Sequence, residues 1–121
     1  MRLWHDDIRE GPDGWVWART NAEAKTYLAT GTVEIASLDH DLGYEGVHLP
    51  ADPDELTDVL IAHHDPNAET GLDLVRWMID TGFVPPVIRI HSWNPAGAQA
   101  MARALIDSNM PMQITVEPFR T

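Results

Sequence analysis

Three short polar clusters contain the residue types that could perform chemistry in this sequence. Each cluster directly follows a short apolar run, at the point where a buried strand would end. Carboxylates at contact distance repel one another unless a cation or a proton lies between them, and Mg²⁺ or Mn²⁺ favours such oxygen ligands. The members of the three clusters are Asp6, Asp7, Asp39, His40, Asp41, His91, Ser92 and Asn94.

The acidic members of the first two clusters predict a divalent cation site. Asp39 and Asp41 are two residues apart, so in extended backbone their carboxylates point to one side and His40 points to the other. If the strands before these clusters are neighbours, the first cluster joins them. The predicted metal ligands, for Mg²⁺ or Mn²⁺, are Asp6, Asp7, Asp39 and Asp41.

The third cluster leads into a predicted helix start, with Asn94 as the N-cap and Pro95 at the first helical position. Free N–H groups and the helix dipole favour an anion there. Beside a metal, such a site would hold a phosphoryl group, and a histidine would transfer a proton near neutral pH. The predicted catalytic residues are His91, His40 and Asp41, and the predicted substrate-binding residues are Ser92, Asn94 and Arg9.

Simpler roles remain open for several of these residues. Asn94 is fully explained as a helix cap, and Ser92 as a partner for backbone groups in the turn. Arg9 could pair with Asp6 or Asp7 rather than with substrate. Histidines in an acidic segment are more often exposed than ligating, so a zinc site at His48, His63 and His64 is disfavoured.

Strands and helices alternate along the chain, which predicts an α/β fold with a mostly parallel five-stranded sheet between helical layers. Such a sheet binds ligands outside the carboxyl ends of its strands, where all three clusters fall. The predicted strands cover residues 2–5, 15–19, 33–38, 84–90 and 112–116. The predicted helices follow Thr20, Thr70 and Asn94, with a short helix at 55–63 inside a predicted insertion at 44–69.

Composition limits the class of protein. A chain of 121 residues that is 44% hydrophobic suits one domain, taken here as residues 1–121. The net charge of −11 argues against binding to duplex DNA or long RNA through phosphate contacts. No cysteine is present, and no apolar stretch could serve as a secretion signal or cross a bilayer, so we expect a cytoplasmic protein without membrane contact.

The motifs taken together resemble the cyclic-phosphate processing receiver-like domains, relatives of the response-regulator receiver fold. The resemblance covers nearly the whole chain apart from the insertion. It implies a three-layer, receiver-like (flavodoxin-like) sheet, trimmed of some helices because a short loop joins the first two strands. The segments that carry it are residues 3–9, Ser37 to Gly43, Thr70 to Leu74 and Ile90 to Pro95.

The resemblance also implies an activity on cyclic phosphates, either RNA 2′,3′-cyclic ends or cyclic nucleotides, and marks the same polar residues. A phosphorelay receiver needs a lysine at the end of its last strand, whereas this chain has Glu117 there and its one lysine is Lys25. The leading hypothesis is a metal-assisted phosphoesterase for a small cyclic phosphate. The alternative is a non-catalytic receiver-like module that binds a nucleotide or a partner protein.

Overall fold

The computed structural model describes residues 1–42, 51–62, 69–92 and 94–117, with only the backbone described at 60–62. These residues contain five strands and four helices. In chain order they are β1 (Arg2–His5), β2 (Val16–Ala18), α1 (Asn21–Leu28), β3 (Ile35–Leu38), α2 (Pro53–Ala62), α3 (Gly71–Thr81), β4 (Val87–His91), α4 (Pro95–Asp107) and β5 (Gln113–Glu117).

The five strands form one sheet in the order β2-β1-β3-β4-β5, and every pairing is parallel. The predicted α/β class and receiver-like sheet are therefore confirmed. β1 and β2 pair in parallel although no helix joins them. Their connection folds back over Trp4 instead: the indole donates to the carbonyl of Arg9 at 2.8 Å, and Gly11 lies directly against the ring. A side chain at position 11 would displace that indole.

One face of the sheet carries the hydrophobic core. Leu3, Ala36 and Ile88 lie side by side in register, and all three are completely buried. Helices α1, α3 and α4 cover this face, and their buried residues include Leu74 and Met101. On the opposite face no described helix covers Trp4. The β1–β2 connection packs against it instead, so the helices missing from the receiver-like fold are missing from this face.

The helices begin and end where local sequence signals place them. Thr20 accepts a hydrogen bond from the Glu23 N–H at the start of α1, and Asn94 accepts one from the Gly97 N–H at the start of α4. Gly82 ends α3 with a φ of 83°, a left-handed conformation that glycine adopts without strain. The predicted helices after Thr20, Thr70 and Asn94 are confirmed.

β1 has the predicted limits, and the other four strands are shorter or shifted relative to the sequence predictions. β4 begins at Val87 rather than at residue 84, because Pro85 and Pro86 have no N–H to donate to a neighbouring strand. The helix predicted inside the insertion is present as α2. Within the described part of the chain, no helix has the length and apolar character needed to cross a membrane.

Candidate functional site

Three buried carboxylates lie together at the carboxyl edge of the sheet. Asp6 and Asp7 follow β1, and Asp39 follows the neighbouring strand β3. One oxygen from each carboxylate lies within 4.8 Å of the others, and all three side chains are buried. The parallel pairing of β1 with β3 therefore brings these predicted residues to one place.

Asp6 is held by hydrogen bonds at both of its carboxylate oxygens. Oδ1 accepts from the N–H groups of Ile8 and Arg9, each at 2.9 Å. Oδ2 accepts from Arg9 Nε at 2.9 Å and from His91 Nε2 at 3.1 Å. Burial alone would raise the pKa of Asp6, but these bonds and the Arg9 charge hold it below its ordinary value. Asp6 is thus an ionised anchor for Arg9 and His91.

Both ring nitrogens of His91 have hydrogen-bond partners, and one face of the ring is covered. Its Nε2 donates to the ionised Asp6, so Nδ1 accepts from the Ser37 hydroxyl at 2.6 Å. Trp4 stacks on the ring with centroids 3.9 Å apart and planes 4° apart. Burial lowers the pKa of His91 despite the opposing effect of Asp6, which keeps the ring neutral. Both nitrogens are therefore committed inside the protein.

Asp39 is the carboxyl with unfavourable surroundings. Burial, and then the nearby charge of Asp6, raise its pKa well above the ordinary value. Among its bonds, Oδ1 accepts from the N–H of His40 at 2.8 Å. A cation beside Asp39 and Asp7 would relieve this repulsion with oxygen ligands of the type Mg²⁺ and Mn²⁺ prefer. The three carboxylates would therefore suit a divalent cation. Asp39 and Asp7 would be its main ligands, because both oxygens of Asp6 already accept hydrogen bonds.

A second cluster, His40 with Asp41 and Asn94, lies beside the carboxylates and is partly open to solvent. His40 Nδ1 lies 2.6 Å from Asp41 Oδ1, and the same oxygen accepts from Asn94 Nδ2 at 3.3 Å. The two side chains of the pair are 15% and 25% exposed. With Nδ1–H donating to Asp41, His40 Nε2 makes no hydrogen bond to the described residues. That nitrogen is the one available for proton exchange.

The structure differs from the sequence prediction at Asp41. The prediction assumed extended backbone from Asp39 to Asp41, which would place both carboxylates on one side. Strand β3 instead ends at Leu38, and the chain turns, so Asp41 pairs with His40 and lies outside the cluster of buried carboxylates. The geometry supports Asp41 as an orienting group for His40 rather than as a fourth metal ligand.

Two glycines allow the turn at residues 39–41 to approach the helices. A Cβ on Gly71 would lie 1.9 Å from the carbonyl oxygen of Asp39, and one on Gly97 would lie 2.5 Å from the His40 ring. The Gly71 N–H also donates to the His40 carbonyl at 2.8 Å. The starts of α3 and α4 therefore clamp His40 from two sides, and any larger residue would move it.

A buried polar chain beneath the site was not predicted. His5 Nδ1 accepts from the Asp39 N–H at 3.3 Å, and His5 Nε2 donates to Asn21 Oδ1 at 2.8 Å. Asn21 in turn donates to the Thr70 carbonyl at 3.0 Å. Burial lowers the pKa of His5 to about 4, so the ring is neutral. His5 looks like an ordinary strand residue in sequence, and only the register of β1 with β3 reveals its contact.

Trp17 on the edge strand β2 and Arg19, which directly follows it, hold the backbone of Asp6 and Asp7. Trp17 Nε1 donates to the Asp6 carbonyl at 2.7 Å, and Arg19 Nη2 donates to the Asp7 carbonyl at 3.0 Å. The Arg19 guanidinium also lies 4.8 Å from the Trp17 ring centroid. Neither residue carries a sequence signal for this role, because each acts on a carbonyl that any residue type would supply.

The remaining predicted residues divide between local and site roles. The Ser92 hydroxyl accepts from the Asn94 N–H at 3.0 Å, as a turn residue would. Asn94 both caps α4 and donates to Asp41, so capping is only half of its role. Arg9 pairs with Asp6 and stays partly exposed. His48, His63, His64 and Trp93 lie outside the described residues.

The end of β5 distinguishes this site from a phosphorelay receiver. Glu117 lies opposite His91 in the register of β4 with β5, where a receiver would have its lysine. The one lysine, Lys25, lies on α1 with its ammonium 5.7 Å from the centroid of the Trp77 ring. The charge that a receiver uses at this position is therefore reversed.

Comparison with known proteins is consistent with this geometry. No curated protein and no solved structure shows significant similarity to the chain. The family model described as the cyclic-phosphate processing receiver domain matches residues 1–107. This range includes the three buried carboxylates and the group of His40, Asp41 and Asn94. The chain therefore belongs to the cyclic-phosphate processing receiver domain family.

Proposed function

We propose that this domain is a phosphoesterase that hydrolyses a small cyclic phosphate to a monoester, with His40 as the proton-transfer residue. The observation that carries the proposal is the pair of half-sites at one sheet edge. An oriented, partly open histidine lies directly beside buried carboxylates, and the two are joined by the bond from the His40 N–H to Asp39. Membership of the family supports cyclic phosphates as the class of ligand.

His40 has the features of a general base or acid. Asp41 fixes Nδ1–H and stabilises the charged ring that forms on proton uptake, as the carboxylate does in other histidine–aspartate pairs. Nε2 then carries the proton that moves between the attacking water and the leaving oxygen. His91 cannot do this without breaking a bond to Asp6 or Ser37, so the geometry favours His40 over His91 for the catalytic role.

Arg9 and the start of α4 are the groups that would hold the phosphate. Asp6 fixes the Arg9 guanidinium through Nε, which presents a positive charge at the site. The first turn of α4 adds the favourable end of the helix dipole beside Asn94. These two features supply attraction for one phosphate in a region otherwise rich in carboxylates.

Asp7 and Asp39 would hold the divalent cation, here Mg²⁺ or Mn²⁺. When bound, such an ion polarises a phosphoryl oxygen and neutralises charge that develops during the reaction. The contribution of the chain is to desolvate these two carboxylates and to keep them adjacent. Burial and the nearby charge of Asp6 raise the pKa of Asp39, so a bound cation would favour the ionised carboxylate that would hold it.

Phosphorus NMR on cyclic nucleotides tests the proposal. The protein is incubated with 2′,3′-cyclic and 3′,5′-cyclic nucleotides in three parallel conditions: Mn²⁺, Mg²⁺ and EDTA. We expect a phosphomonoester resonance with metal and its loss with EDTA. Absence of monoester in every condition across the panel contradicts the proposal, and binding without turnover would support the non-catalytic alternative. Turnover that persists in EDTA would show that the reaction needs no divalent cation.

A further inference from the structure

We infer that the free edge of β5 is a self-association surface, at which two copies of this chain pair their β5 strands in antiparallel orientation about a two-fold axis at Thr115. The inference concerns assembly and does not depend on cyclic-phosphate hydrolysis. Its basis is the difference between the two edges of the sheet, together with the pattern of residues along β5.

The two edge strands of the sheet differ in length and in exposure. β2 has three residues, and none of them is fully exposed, whereas β5 has five residues, of which four are exposed. Within the described part of the chain, β4 is the only strand that pairs with β5. β5 also contains no lysine and no proline, residues that commonly protect a free edge from further pairing. It is therefore the edge at which another strand could be added.

The backbone groups that face outward from β5 belong to Ile114 and Val116. The Gln113 N–H points toward β4, since it donates to the Pro86 carbonyl at 2.8 Å. The N–H and C=O groups of successive strand residues point to alternate sides, so those of Ile114 and Val116 point away from β4. An added strand would therefore form its hydrogen bonds with these two residues.

A second copy of β5 meets this requirement when the antiparallel pair is centred on Thr115. Ile114 of each copy then lies opposite Val116 of the other, and the two residues exchange their outward backbone hydrogen bonds. Their side chains form an apolar cross-strand pair. Gln113 lies opposite Glu117, so an amide donor faces a carboxylate and no like charges meet along the paired strands. The strand is therefore complementary to itself in this register.

Two of the exposed large hydrophobic side chains lie on this side of the molecule. Val116 is 44% exposed, and Ile106 on α4 is 62% exposed. Helix α4 packs over β4 and β5, and its Gly97 lies against His40, which follows β3. Ile106 comes nine residues after Gly97, which is about two and a half turns, so it faces away from β3 and toward the free edge. Association at this edge would remove apolar surface from water.

Sedimentation equilibrium tests the association. The chain is measured between about 1 µM and about 1 mM, in about 0.15 M salt to screen repulsion between the acidic copies. We expect the wild-type mass to approach twice the chain mass of 13.5 kDa as concentration rises. A wild type that stays monomeric at the highest concentration overturns the inference and leaves this edge to a strand of another protein.

Matched variants assign the association to β5. Val116→Lys and Ile106→Lys each place an ammonium group at the proposed contact and should remain at the monomer mass. Phe83→Lys makes the same kind of change at a side chain that is 39% exposed just before β4, at the opposite end of the sheet, and should associate like the wild type. Circular dichroism verifies that each variant is folded. Wild-type association of both β5-side variants, or loss of association in folded Phe83→Lys alone, overturns the inference.

A disulfide test determines the register. The chain has no cysteine, so a single introduced cysteine can link only to its counterpart in another copy. Across the proposed axis the two Thr115 Cα atoms are about 4.5 Å apart, which suits a disulfide, whereas those of Gln113 are about 14 Å apart. Under mild oxidation, Thr115→Cys should give a covalent dimer on a non-reducing gel, and Gln113→Cys, exposed on the same strand, should not. Any other pattern of cross-linking overturns the proposed pairing.

Discussion

Two histidine–aspartate pairs lie at the same edge of this sheet, and they differ in what surrounds them. In the His91–Asp6 pair both partners are buried, and each ring nitrogen of His91 has a protein partner. In the His40–Asp41 pair both partners are partly exposed, and one ring nitrogen makes no bond to the described residues. The same residue types therefore form a structural pair at His91–Asp6 and a pair with an accessible ring nitrogen at His40–Asp41.

The comparison shows that residue type alone does not identify a catalytic histidine. A buried ring with two hydrogen-bond partners is held in place, because any movement would break both of those bonds. An oriented ring with one open nitrogen can exchange a proton without disturbing the fold. Four measurements would test this distinction.

Removal of the open imidazole should have the largest effect. His40→Gln keeps a polar side chain and loses the imidazole that would transfer the proton, so we expect kcat on a cyclic nucleotide to fall by about 10²- to 10⁴-fold. The melting temperature should change little, because His40 is partly exposed. Wild-type turnover in His40→Gln, with turnover lost in a folded His91→Gln protein, would reverse the assignment of the two histidines.

Removal of the buried charge should act mainly on stability. Asp6→Asn leaves His91 and Arg9 without their ionised partner, and we expect the free energy of unfolding to fall by about 3 kcal/mol. Urea denaturation measures this, with exposed Asp13→Asn in the same connection as a control that changes it by less than about 0.5 kcal/mol. A stable Asp6→Asn protein that no longer binds Mn²⁺ would show that Asp6 is a metal ligand instead.

His5, which is buried like His91, makes stability depend on pH. The pKa of His5 is about 4 in the folded protein against an ordinary value of 6.5, so the unfolded chain binds more protons between these values. The resulting stabilisation is complete above pH 6.5 and is lost as pH falls to 4, a difference of roughly 3 kcal/mol.

Comparison with His5→Gln isolates that contribution. The difference in unfolding free energy between wild type and variant should shrink as pH falls from 7 to 4, because the variant has no group to protonate at this position. Urea denaturation at several pH values supplies the measurement. A difference that stays constant with pH would mean that the ring is not held neutral by the buried chain through Asn21 and Thr70.

The smallest effect should come from Asn94, whose two roles can be separated. Asn94→Ala removes the cap of α4 and should lower stability by about 1 kcal/mol. Asn94→Ser keeps a capping oxygen but has no amide to donate to Asp41, so stability should be largely retained while kcat falls by a few-fold. Identical turnover in Asn94→Ser and wild type would reduce the residue to its capping role.

Much of the fold could be read from local patterns. The helices after Thr20, Thr70 and Asn94 carry capping residues at their starts, and the five strands carry short apolar runs. Strand limits were less predictable, because they depend on which N–H groups find partners across the sheet. Pro85 and Pro86 illustrate this, since they are apolar enough to extend β4 but cannot donate a hydrogen bond.

The site could be predicted in composition but not in its internal arrangement. Asp6, Asp7 and Asp39 meet because parallel strands bring their carboxyl ends to one edge, which the alternation of strands and helices implies. Ser37, His5 and Asn21 were missed, because each is recognisable only from its partner across the structure. The separation of Asp41 from Asp39 was missed because it depends on where strand β3 ends.

The amino-acid sequence indicated which chemistry is available: carboxylates, histidines and a helix start at one sheet edge. The folded structure then gave each of these groups its hydrogen-bond partners. Register placed Ser37 and Asp6 on the two nitrogens of His91, and the close approach of Gly71 and Gly97 turned His40 toward Asp41. Composition limits which groups are present, whereas packing and hydrogen-bond partners decide which ring nitrogen stays open.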